Sequence, residues 1–97
     1  MTEYLKENEL YAKALKLWGK DAQIDMAIEE MAELTKILLH ARRGRGTLEL
    51  IANEISDVSI MLDQLIYMYS LEGIIKLNRR LKLKRLKRHV EVSNARQ

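Results

Sequence analysis

Ninety-seven residues, 47% hydrophobic and 32% charged, suffice for one globular domain with a modest core and exclude a disordered chain. No run reaches the roughly 20 apolar residues of a membrane span, and the absence of cysteine excludes disulfide and thiolate chemistry, in keeping with the cytoplasm. The net charge of +3 conceals an asymmetry: residues 1–73 hold eight Lys/Arg against thirteen Asp/Glu, and residues 74–97 hold nine against one, balances of −5 and +8.

There is no proline and no phenylalanine, and only four glycines interrupt the chain. Such a composition predicts an all-α fold: a single helical domain over 1–97, with acidic helices over 1–73 and a basic helix and tail over 74–97. The N-terminus, MTEYLKENEL, carries acids and no apolar core, which predicts no secretory signal.

The first helix is predicted over about residues 3–17, with Leu10, Ala14 and Leu17 recurring at helical spacing. Gly19 breaks it after Trp18. Asp21 suits an N-cap or a first-turn acid of the second helix, which runs to about Arg42. RRGRG at 42–46 is the clearest breaker, with basic residues where a helix C-terminus favours them. Thr47 can cap the third helix, which runs to about Tyr69. Ser70 and Gly73 mark a weaker joint before the last helix, about residues 74–90, and SNARQ is expected to fray.

The acids of the middle helices are unusual. At about 100° per residue, Glu30 lies inside the arc of Met26, Ala27, Leu34 and Ile37, and Glu33 lies at its edge. The third helix repeats this, with Glu54 inside the arc of Leu50, Ile51, Val58 and Met61 and Asp57 at the edge. A shift of 24 residues superimposes AIEEMAELTKIL on IANEISDVSIML, so the two helices present similar faces. If they form an antiparallel hairpin about RRGRG, Glu30 comes level with Asp57 and Glu33 with Glu54. Four anions sharing a half-buried patch repel one another and lose hydration, so a cation must join them. Lys36 lies about 120° round from Glu30 and does not supply it. An all-oxygen set without His or Cys suits a hard divalent ion such as Mg²⁺ rather than zinc.

EEMAE at 29–33 followed by EISD at 54–57 resembles the EExxE…ExxD signature of the MazG-like all-α nucleoside triphosphate pyrophosphohydrolases. The flanking WGKDAQIDMAIEEMAELTKILL and EISDVSIMLDQL look like the same family, so the likeness covers roughly residues 15–70. It implies hydrolysis of a (deoxy)nucleoside triphosphate to the monophosphate and pyrophosphate, in nucleotide-pool house-cleaning. It also implies Mg²⁺ as cofactor, with Mn²⁺ as a substitute, held by Glu30, Glu33, Glu54 and Asp57. Glu29 belongs to the signature but points about 100° from Glu30, which leaves it a supporting or water-orienting role. A carboxylate of the cluster is the expected base, since His40 and His89 lie far along their helices.

Trp18 and Gln23 are candidate nucleobase contacts, by stacking and by amide hydrogen bonding, although a core anchor is the commoner use of such a Trp. In KLNRRLKLKRLKRHV at 76–90, Lys76, Arg79, Arg80 and Lys82 are candidate triphosphate contacts. Ile74, Leu77 and Leu81 share one side of that helix, and Leu83, Leu86 and Val90 nearly the opposite one. Two apolar strips predict packing between two neighbours, so the expected architecture is an antiparallel helical bundle completed by homo-oligomerisation, as a homodimer or a dimer-of-dimers tetramer. Two rival functions remain: a helical oligomeric nucleic-acid-binding module with a structural metal site, and a phosphoribosyl-ATP pyrophosphohydrolase.

Overall fold

A computed structural model of the chain describes residues 2–96, with side chains described from residue 6 onward. It holds four helices and no strand among the described residues: α1 (Thr2–Trp18), α2 (Lys20–Arg42), α3 (Leu48–Tyr69) and α4 (Glu72–Ala95). No described helix is long and apolar enough to cross a membrane.

The breaks fall where backbone chemistry demands them. Gly19 (φ 86°) supplies a left-handed joint that an L side chain resists, so α1 and α2 meet with a single residue between them. No side chain caps α2; Asp21 sits in its first turn, where a negative charge suits the helix dipole. Thr47 caps α3, its hydroxyl oxygen accepting from the Leu50 N–H at 3.2 Å. α3 ends on Ser70 in the left-handed conformation (φ 54°), where the N–H groups of Ser70 and Leu71 donate to Tyr67 O and Ile66 O.

α2 and α3 form an antiparallel hairpin: Lys20, at the start of α2, places its ammonium 4.7 Å from the ring centre of Tyr69, at the end of α3. Their shared seam is spaced in alternating steps of three and four. On α2 it runs through Gln23, Ala27, Glu30, Leu34, Ile37 and Ala41, and on α3 through Ile51, Glu54, Val58, Met61, Leu65 and Met68, all buried or half-buried. Ala27, at 2% exposure, is the most enclosed core residue, and its small side chain lets the two helices approach closely.

α1 lies across this hairpin, but not on its predicted face. Leu10 and Leu17 are exposed and Ala14 is half-buried; the buried residue is Tyr11, whose ring sits 6.5 Å from that of Tyr67 at a tilt of 59°. Helical spacing finds an apolar row, yet a large aromatic beside that row gains more by burial. α4 also differs from expectation. It continues through Ser93, Asn94 and Ala95, because no glycine or proline stops it after Gly73, which sits in its first turn. Gln97 lies outside the described residues.

α4 projects from the other three helices. From Lys76 to Arg96 every residue is exposed. The radius of gyration of 17.0 Å and extents of 53 × 36 × 26 Å record this arm; a compact domain of this length would have a radius near ~12.5 Å.

Candidate metal centre

The seam that joins α2 to α3 contains two acids where leucine or isoleucine would ordinarily sit. Glu30 and Glu54 occupy seam positions and are half-buried, and Asp57, one step off the seam, is half-buried beside them. Each of the three offers a carboxylate oxygen, and these oxygens lie within 4.8 Å of one another. One Oε2 of Glu54 is buried without a hydrogen-bond partner. Among the described residues no Lys or Arg forms an ion pair with this group; the ion pair present, Lys87 to Glu91 at 4.0 Å, lies on the arm. Burial, then Asp57, Glu54, Glu33 and Glu29 in that order, push the Glu30 carboxyl above its usual range.

The donor set fits a hard divalent cation. An octahedral ion with ligands at about 2.1 Å places opposite oxygens about 4.2 Å apart, so small rotations of these side chains would enclose it. The orphaned Glu54 oxygen is the kind of buried acceptor such an ion satisfies.

The other candidate residues are distributed unevenly. Glu33 is exposed and stands outside the three-carboxylate group, at the rim, yet close enough to bear on Glu30. Glu29 is exposed, on the outer side of α2. Gln23 is only 3% exposed, and its Nε2 has no partner; it occupies the same seam as Glu30, two turns earlier. Trp18 is 59% exposed, so it is not a core anchor; it lines a groove of about 310 Å³ between α1 and α3 with Leu10, Leu17 and Ile60.

Lys76, Arg79 and Arg80 line a different groove, of about 660 Å³, whose opposite wall includes Glu7, Tyr11 and Asp63. Lys82 is exposed on the arm and lines neither of these grooves. None of the four carboxylates lines the larger groove, so within one chain the basic candidates stand apart from the acids. Tyr11 was not singled out by sequence reasoning. Burial, then Asp63 and Glu7, push its hydroxyl upward. Tyr11 lies on α1 and its partner Tyr67 near the end of α3, and helical spacing alone does not connect them.

No family model matches the chain, and no curated protein or solved structure matches it.

Proposed function

We propose that this chain is a Mg²⁺-dependent nucleoside triphosphate pyrophosphohydrolase of the MazG-like type, with Mn²⁺ as a substitute ion. The observation that carries the reading is the meeting of Glu30, Glu54 and Asp57 within 4.8 Å across two helices. No basic residue among those described neutralises them, and they stand at the positions of the EExxE…ExxD signature. A structural acid at one seam position is ordinary; two in facing helices with a third alongside are costly unless they hold a cation.

When bound, the ion supplies charge neutralisation for the triphosphate and lowers the pKa of a reacting water. Glu30, Glu54 and Asp57 hold it, and Glu33 joins from the rim. A carboxylate oxygen of the cluster accepts the proton as the water oxygen bonds to the α-phosphorus. The bond from that phosphorus to the bridging oxygen breaks, and the products are the nucleoside monophosphate and pyrophosphate. The buried amide of Gln23 and the exposed ring of Trp18 are the groups offered to the nucleobase. A second copy of the chain, in a homodimer or a dimer of dimers, closes the pocket that one copy leaves open.

A second reading is favoured by the arm. Eight Lys/Arg over 76–90, all exposed, suit a nucleic-acid-binding module with a structural metal site. Incubation with a panel of NTPs, dNTPs and phosphoribosyl-ATP plus Mg²⁺ separates these readings. Monophosphate and pyrophosphate in equal amounts support the hydrolase, with the preferred substrate naming the type. No product from any of them, with Mg²⁺ still bound by calorimetry, overturns it in favour of the structural site.

A further inference from the structure

Gln23 stands seven residues before Glu30 on α2, and Gln64 stands seven residues after Asp57 on α3. The antiparallel register that sets Glu30 level with Asp57 therefore sets these two amides level with each other, two turns along the hairpin. Both have poorly served donors. Gln23 Nε2 is buried with no partner, and Gln64 Nε2 donates to the Met61 thioether at 3.4 Å, a weak acceptor. An amide donor held this way is costly unless a better acceptor reaches it.

The two amides differ in access. Gln23 is 3% exposed and does not line the α1–α3 groove. Gln64 is half-buried and lines that groove of about 310 Å³, beside Leu10, Leu17, Trp18 and Ile60. No acid among the described residues lines it, and the exposed Lys13 is its charged residue. Apolar walls, one indole ring and one carboxamide suit a planar heteroaromatic ring, whose face packs on Trp18 and whose edge meets the amide. Asp57, Ile60 and Gln64 follow one another along one side of α3 in steps of three and four, so the groove and the carboxylates share a stripe of that helix. Gln64 stands about 10 Å beyond Asp57 along the axis, a separation that a ribose bridges between a phosphate and a base.

We propose that this groove takes the nucleobase of the substrate and that Gln64 is the residue that selects among bases. The inference rests on the proposed function and moves its amide contact from Gln23 to Gln64, since Gln23 is closed to the groove. Trp18 stacks on the base, and the Gln64 amide exchanges the Met61 sulfur for the base edge. A base whose edge leaves that amide unpaired is bound more weakly.

Trp18 is the sole tryptophan, so its fluorescence reports on the groove. The test titrates the full chain, in chelator, with the common nucleoside monophosphates and with ribose phosphate. The monophosphates should quench Trp18 saturably, one base most strongly, and ribose phosphate should not. Gln64→Met keeps an unbranched side chain and removes the amide. It should weaken the preferred monophosphate by about tenfold or more and level the preference among bases, with helicity unchanged by circular dichroism. With Mg²⁺, kcat/KM across the triphosphate panel should level in the same way. Hydrolysis by Gln64→Met with the wild-type base preference overturns the role of Gln64 and leaves the hydrolase standing. Base-selective quenching without pyrophosphate release from any triphosphate keeps the groove as a nucleobase site and overturns the hydrolase. No quenching by any monophosphate, or equal quenching by ribose phosphate, overturns the nucleobase site whether or not the chain hydrolyses triphosphates.

Discussion

Glu30 on α2 and Asp57 on α3 bring carboxylate oxygens within 4.8 Å of each other across the hairpin seam, with no cationic side chain paired to either among the described residues. Burial, and next to it the charge of Asp57, hold the Glu30 carboxyl above its usual range. Two acids placed like this destabilise the fold in the absence of a cation. On the proposed function, the ion that offsets this cost is the one the reaction uses, so folding and that function would oppose each other at this point.

Glu30→Gln removes the charge at the centre of the repulsion while keeping the shape of the side chain. In chelator, the melting temperature of this variant is expected to exceed that of wild type. Mg²⁺ should raise the wild-type melting temperature with the logarithm of its concentration and leave that of the variant nearly unchanged. Thermal melts with chelator and across a Mg²⁺ series check both.

The raised carboxyl also sets a pH dependence. A carboxyl whose folded pKa lies above its unfolded value binds more protons in the folded state, so stability falls as pH rises through that interval. For Glu30 the interval opens at the ordinary value of 4.5 and extends upward. In chelator, the Glu30 contribution to stability is therefore greatest below 4.5 and is lost as pH rises through the folded pKa. Urea melts on wild type and Glu30→Gln across this range should show the loss in wild type alone.

Ala27 precedes Glu30 by one turn in the seam and is 2% exposed. Enlarging it to leucine overpacks the contact that sets the spacing of α2 and α3. Ala27→Leu is expected to cost about 1–3 kcal/mol in chemical denaturation. It should also weaken Mg²⁺ binding by calorimetry, since the carboxylates are carried on the two helices it forces apart.

Ser70 adopts φ 54°, a conformation in which glycine meets no steric penalty. Ser70→Gly should stabilise the chain by about 0.5–1 kcal/mol, the relief at the left-handed cap exceeding the greater unfolded-state freedom of glycine. Urea denaturation measures it, and Mg²⁺ affinity should not change.

Much of this arrangement was legible in the sequence because it depends on local chemistry. Gly19, RRGRG and Thr47 act through their own backbone and capping preferences, and the helices end or begin beside them. The placement of Glu30, Glu54 and Asp57 followed from helical period plus one antiparallel turn. Tertiary context decided the rest. The row Leu10–Ala14–Leu17 is the apolar row of α1, yet Tyr11 is buried, because contact with Tyr67 joins residues that no local pattern relates. Glu33 shares the level of Glu54, but it is exposed while Asp57, at the matching edge of α3, is half-buried, a difference set by how the two helices are rotated. The seam itself, alternating threes and fours through Gln23, Ala27 and Glu30, was present in the sequence but is apparent only once the facing helix is known.

The central claim is that these carboxylates support Mg²⁺-dependent pyrophosphate release from a nucleoside triphosphate. The most direct measurement compares wild type with Asp57→Asn on the preferred nucleotide, with Mg²⁺ and with chelator, following monophosphate and pyrophosphate together. Wild type should turn over only with the ion, and Asp57→Asn should lose at least about a hundredfold in kcat while keeping its helicity. Turnover by Asp57→Asn close to wild type, or wild-type turnover undiminished in chelator, would contradict the account.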